Sequence, residues 1–551
     1  MKEIENMKNT YIKVEKVLTV TLFLIFIFYV IGIFVTNFNG RLFYDFDMYS
    51  DSLISKKMWE QKTFMPIDWI FGNQHYIIAT PNLVALIYGI IGNSFYSMAI
   101  ASSMMFVLTI SAYLFCFGPK LSKSALAISL VCLGGGTLVN TGIATDFNGL
   151  QLFFTMASYY SCYLIGLFTT LGFYFKLREH SKSNFFLISL VLLINFGLGM
   201  NSIRQTLVCV IPIVIMEILQ FLGCFHKSKS FRLSLKQNTK TISFVFAVTI
   251  SNLSGIIALK LTESSSTMDN ALHFSFKSPD ITQKFIAACN SFVDFSGLKY
   301  LNHSIKYIPL GFLSLFFTII VIVALILMFK NKDSSRIAIG SYCCLISLLG
   351  TFVASVFLLE TRSTYYFMWF PLVVLCCTYS ANLFQNKAKL FFMSLIIMGC
   401  LTNTVYSYTF NLLNYLNYND KYTQMADIIC KNGIKYVYCY AGTATTICGY
   451  SNDNFEIGSV FIDTDCNDEY IAYPVPYIQS KETFTHVNDD SAAFLIHEDG
   501  LDNMKNLLPE KDWLHFNNQT QLVTKYEAEP GYIYYLYKMN DTIISGFDTN
   551  N

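Results

Sequence analysis

The chain has 551 residues, of which 53% are hydrophobic and only 14% charged, with a formal charge of +1. A soluble domain carries about 25% charged residues, so a wholly soluble protein is excluded, and no nucleic-acid partner is expected. The apolar residues come in blocks of about 20, the length that crosses a hydrocarbon layer as a helix.

Residues 1–17 mix Lys and Glu ahead of the first block and lack a small-residue cleavage site, so they read as an uncleaved N-terminus. Eleven apolar stretches follow, at about 18–37, 96–117, 124–141, 152–175, 184–202, 205–223, 241–260, 307–329, 337–359, 366–384 and 390–410. The break between the fifth and sixth is set at Asn201–Arg204, because an Arg inside one long helix would be costly in lipid. Alternate connections are basic. They hold Lys120 and Lys123; Lys176, Arg178 and Lys182; Lys227, Lys229, Arg232, Lys236 and Lys240; Lys330, Lys332 and Arg336; and Lys387 and Lys389. Short loops rich in Lys and Arg stay in the cytoplasm, so the expectation is N-terminus inside, C-terminus outside.

Three outer regions are long: 38–95, 261–306 and the tail 411–551. The first opens Tyr44-Asp45-Phe46-Asp47-Met48-Tyr49-Ser50-Asp51, three carboxylates in seven residues beside the bilayer. On a helix, Asp47 and Asp51 share a face. Acids favour helix starts, but a carboxylate among aromatic rings near lipid is expensive unless it has a task. The loop continues through Asp68-Trp69 and Gly72-Asn73-Gln74-His75-Tyr76 to an apolar helix at Pro81–Ile91, too short to span and suited to the interface. Trp59, Trp69 and Tyr76 suit a belt at headgroup level.

Asp146 falls in the short outer turn after the third span, Arg204 at the outer boundary of the sixth, and Arg362 in Glu360-Thr361-Arg362-Ser363-Thr364-Tyr365-Tyr366 before the tenth. Positive charge is disfavoured outside, so Arg204 and Arg362 call for a reason beyond reaching water. Guanidinium pairs bidentately with phosphate.

The tail starts with an amphipathic stretch, Tyr422–Lys431, stops at Gly433, runs on as a strand at Lys435–Tyr440 and ends in the Tyr-rich Gly531–Lys538. A small α+β or α/β domain fits. Its Cys430, Cys439, Cys448 and Cys466 lie where disulfides are permitted, but their spacing forms no known framework. No phosphate loop is present, and the inner loops are too short for a nucleotide-sugar domain.

The segment Asp45-Phe46-Asp47-Met48-Tyr49, then Ile67-Asp68-Trp69, then Tyr76 through Thr80-Pro81, resembles the first outer loop of GT-C glycosyltransferases. The pattern is that of lipid A aminoarabinose transferases and protein O-mannosyltransferases. Phe46 stands where the family has Glu, Thr80 where it has Lys, and the spacing is shorter. The resemblance implies a GT-C-like membrane domain over 18–410 and an enzyme that moves a sugar from a polyprenyl-phosphate donor to an envelope glycan, lipid or protein. It implies Asp45 as first choice for general base and Asp47 as second, donor phosphate on Arg204 and Arg362, and Asp146 as a second acid. Tyr49, Trp69, His75 and Tyr76 would line the substrate loop. Asp45, Asp47 and Asp146 can offer oxygen ligands to Mg²⁺ or Mn²⁺. Competing readings are an envelope polymerase or ligase, a transporter or flippase, and a scaffold that displays the tail.

Overall fold

The apolar blocks become helices because a single segment of that length satisfies its own backbone in lipid only as a helix. The protein is seen in a computed structural model. It describes residues 2–39, 46–72, 74–139, 149–155, 158–179, 185–262, 281–357, 361–409, 421–440, 447, 450–451, 453–463, 470–475, 478–529, 531–540 and 543–547. Asp45, Asp146, Cys448 and Cys466 lie outside these residues.

The membrane part is built from α1 (Lys2–Asn39), α4 (Ser94–Phe117), α5 (Lys123–Val131), α7 (Ser161–Arg178), α8 (Phe185–Asn201), α9 (Ile211–Ser228), α10 (Phe231–Thr262), α12 (Ile308–Lys330), α13 (Arg336–Phe357), α14 (Trp369–Leu383) and α15 (Asn386–Asn403). Among the described residues, eight helices are long and apolar enough to cross a membrane. The other three expected stretches lie on the shorter or less apolar helices α5, α7 and α8. Helix α12 shows the local logic: a Pro in its first turn, apolar residues all round, and Lys330 at its end. This is a multi-pass α-helical membrane protein with a tail domain built on a β-sheet.

The basic connections gather at one end. Arg336 donates through Nε and Nη2 to Glu179 at 3.0 and 2.7 Å, and Lys120 reaches the same carboxylate at 2.7 Å. Lys389 pairs with Glu15 at 2.6 Å. Three turns far apart in sequence are thereby tied together through Glu179, and a separate pair ties the start of α15 to α1.

The opposite end carries α2 (Phe46–Gln61), α3 (Thr80–Ile91), α6 (Gly149–Phe153), α11 (Ile281–Ser296) and the tail. Helix α3 starts on Thr80-Pro81 and ends on Gly92, whose φ of 70° suits a residue without Cβ. Its Val84 and Ala85 are buried and its Leu86 and Ile90 exposed. The tail begins with a helix at Lys421–Lys431, ended by Gly433 at φ 72°. Its strands are β2 (Tyr436–Tyr440), β3 (Glu456–Ile462), β4 (Ala472–Pro474), β6 (Ala492–His497), β7 (Thr520–Glu529) and β8 (Tyr532–Met539). They form one mixed sheet in the order β4-β3-β2-β6-β8-β7, with β3, β2 and β6 parallel. Period-two alternation buries both faces. Tyr438, Phe494 and Ile496 pack on one face with Phe484, Met504 and Phe516. Val437, Cys439 and Leu495 pack on the other with Met48, Leu53, Ile54 and Met58 of α2. The tail therefore shares one of its cores with the first loop. Cys430 and Cys439 are free thiols.

The loop and tail are also joined by backbone. Strand β1 (Trp69–Ile70) pairs antiparallel with β5 (Gln479–Ser480), and the Lys481 N–H donates to the Asp68 carbonyl at 2.6 Å. Asp453 accepts from the Ser94 N–H at 2.9 Å and so caps α4 from the tail.

Candidate functional site

The site forms where α2, the 71–80 loop, the α8–α9 turn and the turn before α14 converge. Asp47 lies in the first turn of α2 and is half-buried. Burial pushes its carboxyl above the usual carboxylate range, and the positive charge of Arg362 only partly offsets this. Two candidates separated by more than 300 residues thus feel each other. Arg362 is exposed and opens a short 3-10 turn, Ser363–Tyr366. Tyr365, on that turn, places its ring 6.0 Å from the Arg204 guanidinium carbon.

Arg204 sits in a box. Its Nη1 donates to Gln74 Oε1 at 3.0 Å, and the Tyr160 ring lies 5.9 Å away on another side. Tyr160 is itself stacked on Phe367 at 4.4 Å. Tyr163 OH shares a 2.9 Å hydrogen bond with Ser202, whose oxygen accepts the Arg204 N–H at 3.2 Å. Aromatic faces next to a guanidinium hold it by cation–π attraction without neutralising it. Among the described residues, no carboxylate forms an ion pair with Arg204.

The loop that carries Gln74 is pinned by Asn201. The Asn201 side chain accepts from Ile77 N at 2.8 Å and donates to the Ile78 carbonyl at 2.7 Å, while its backbone carbonyl accepts from His75 N at 3.1 Å. His75 is buried and stacked on Phe71 at 4.6 Å. Neither ring nitrogen meets a partner among the described residues. Burial lowers its pKa to about 4, so its ring is neutral at physiological pH.

The other loop candidates sit elsewhere. Tyr49, Trp69 and Tyr76 are buried in the core shared with the tail, at 7%, 2% and 5% exposure. Tyr49 OH donates to the Phe455 carbonyl at 3.3 Å, and Trp69 lies in the β1–β5 ladder. Trp69 and Tyr76 are therefore not a headgroup belt: the tail sheet covers the surface that the sequence alone leaves open. Asp51 is buried too, one turn beyond Asp47. Asp45 and Asp146 lie outside the described residues. Among the described residues, no group of three His, Cys, Asp or Glu side chains is placed to hold a metal.

Sequence reasoning missed Gln74, Tyr160, Tyr163 and Ser202. The signal was weak but present: each is polar or aromatic and sits at the same end of the bundle as Arg204.

No protein-family model and no curated protein matches the chain. Two crystal structures of ArnT from Cupriavidus metallidurans are similar in fold. One, bound to undecaprenyl phosphate, is 9% identical with a TM-score of 0.46; the other, in the apo state, is 10% identical with a TM-score of 0.47. Each likeness covers 92% of this chain and 97% of the other.

Proposed function

We propose that this chain is a GT-C-like membrane glycosyltransferase that takes a sugar from a polyprenyl-phosphate donor and gives it to an envelope acceptor outside the cytoplasm. The observation that carries the reading is the convergence of Asp47, Arg362, Tyr365 and Arg204 at one end of the bundle. The Asp47 carboxyl, pushed up by burial, feels the charge of Arg362, and the Arg204 guanidinium lies within 6.0 Å of the Tyr160 and Tyr365 rings.

The reaction is an inverting displacement. Asp47 takes the proton from the acceptor hydroxyl. The hydroxyl oxygen attacks the anomeric carbon as the bond from that carbon to the phosphate oxygen breaks. The electron pair leaves with the polyprenyl phosphate, where Arg204 and Arg362 stabilise the growing charge. Burial raises the carboxyl's affinity for a proton, which is the direction a base requires. Asp45 stays a candidate for the same role, and Asp45, Asp47 and Asp146 would be the oxygen donors if a divalent cation took part, a question that chelator titration of transfer decides.

The basic connections at the other end support an orientation in which this site and the tail face outward. The transporter reading is weaker, because the charged side chains concentrate at the two ends of the bundle. Glu217 is an exception. It is buried within α9 and accepts from Tyr174 OH at 2.8 Å and Thr241 Oγ1 at 2.7 Å. The test is transfer from synthetic polyprenyl-phosphate sugars by purified protein, with Arg204→Gln and Arg362→Gln beside wild type. Loss in both supports the phosphate assignment; undiminished transfer in both removes it.

A further inference from the structure

A buried amide cluster lies directly beneath Arg204. The turn after it, Thr206–Val210, is a π-helical turn in which Ile211 N bonds the Thr206 carbonyl. Such a turn holds one residue more than an α-turn, so it rotates the residues before it by about 100° relative to an uninterrupted helix. The direction of Arg204 therefore depends on this turn. Pro212 in the next turn has no N–H, which weakens the α-helical alternative.

Two buried side chains on neighbouring helices, Asn195 and Asn252, hold the turn. Gln205 Nε2 donates to Asn195 Oδ1 on α8 at 3.1 Å. Thr206 Oγ1 donates to Asn252 Oδ1 on α10 at 2.6 Å. Asn252 Nδ2 in turn donates to the Asn195 carbonyl at 3.1 Å, and Asn195 Nδ2 donates to Thr170 on α7 at 2.9 Å. Gln205, Asn195 and Asn252 are fully buried. Glycines make the reach possible. A Cβ on Gly255 would lie 2.1 Å from the Phe196 carbonyl oxygen, and one on Gly199 would lie 2.3 Å from the Asn252 carbonyl oxygen. Helices α8 and α10 thus touch backbone to backbone. On α7, a Cβ on Gly166 would come within 2.8 Å of Gln205 Nε2.

Amides buried at membrane depth add little to helix association on average. A linked set on three helices, next to the one residue whose direction matters, has a better use. We infer that Gln205, Thr206, Asn195 and Asn252 are positioning residues that fix the π-helical turn and so aim Arg204 at the donor phosphate. The inference rests on Arg204 as a phosphate ligand.

The experiment is a double-mutant cycle on the full-length protein in detergent. Binding of a short-chain polyprenyl phosphate is measured beside binding of the matching polyprenol, which has the tail without the phosphate. The variants are Gln205→Met, Arg204→Gln and both together. Thr206→Val is the gentler second variant, since it removes one hydroxyl and keeps the shape.

The expected result is about tenfold weaker phosphate binding in Gln205→Met and a smaller loss in Thr206→Val, with polyprenol binding unchanged. In the Arg204→Gln background the Gln205→Met effect should disappear, because a residue that acts through another has nothing left to act on. Equal loss for phosphate and polyprenol, or an effect of Gln205→Met that persists without Arg204, overturns the positioning role alone. If Arg204→Gln itself leaves phosphate binding intact, the phosphate assignment fails and the inference fails with it.

Discussion

Replacing Asp68 should loosen the tail from the first loop. Asp68 Oδ2 accepts from Ser480 Oγ at 2.7 Å and lies 3.4 Å from Lys57 Nζ, while Oδ1 accepts from Gln61 Nε2. The Lys57 side chain is 7% exposed, and its other anionic partner, Glu482, is 53% exposed. Asp68→Ala removes a hydrogen bond to a charged acceptor, worth about 1.5–3 kcal/mol. It also takes one of two anions from a buried ammonium. Losing the sole partner of a buried charge costs about 3–5 kcal/mol; with Glu482 still in place, only a fraction applies. About 3 kcal/mol of loop–tail stability should be lost in all. Asp68→Asn, which keeps an acceptor for Ser480, should lose roughly half of that.

Limited proteolysis that releases the tail, read against thermal unfolding of the whole chain, is the assay. Burial works against the ionised Asp68, but Ser480, Gln61 and Lys57 outweigh it, and its carboxyl sits below the usual range. A carboxyl lowered in the folded state stabilises above its unfolded pKa and loses that contribution as pH falls through its folded value. The gap between wild type and Asp68→Ala should therefore be constant from about pH 5 to pH 8 and close only in strong acid. If Asp68→Ala resists proteolysis as wild type does, the Asp68 cluster does not hold the tail.

Asp47→Asn should raise the thermal midpoint, and by more at pH 7 than at pH 4. A carboxyl raised by burial has its stability contribution at low pH and loses it as pH climbs through the folded value, and Asn has no charge to bury. A lower midpoint in the variant at pH 7 would contradict this. For His75 the sign is opposite: its ordinary value of 6.5 falls to about 4, so stability should drain away as pH falls across that range. His75→Phe should flatten that slope in a pH series of unfolding midpoints. Gly255→Ala drives a methyl against the Phe196 backbone carbonyl, which cannot swing aside as a side chain can. The expected cost is about 3 kcal/mol or more, with loss of folded yield in detergent, since overpacking a rigid contact costs about 1–3 kcal/mol even where neighbours can shift.

The membrane fold was legible because lipid leaves the backbone few choices. Block length marked the helices, and the Lys and Arg alternation marked which turns lie together, as Lys120, Glu179 and Arg336 then show. Gly433 and the run before Tyr440 read correctly as a stop and a strand. Asp47, Arg204 and Arg362 stood out because charge is rare at that depth. What local pattern could not show was the docking of the tail. Trp69 and Tyr76 look like interfacial aromatics until β5 and the sheet cover them, and that contact joins residues some 400 positions apart. The box around Arg204 was hidden for a similar reason: Gln74, Tyr160 and Tyr365 come from three different connections. The π-helical turn was hidden as well, since its amide partners sit on other helices.

Transfer of sugar from a polyprenyl-phosphate donor by purified protein, wild type against Asp47→Asn, tests the central claim most directly. The account predicts measurable transfer by wild type and a fall of about 10²–10⁴-fold in Asp47→Asn, the contribution of a general base, with the variant folded and no less stable. Transfer by Asp47→Asn at the wild-type rate would contradict Asp47 as the base, and no transfer by folded wild type from any polyprenyl-phosphate sugar would contradict the enzyme itself.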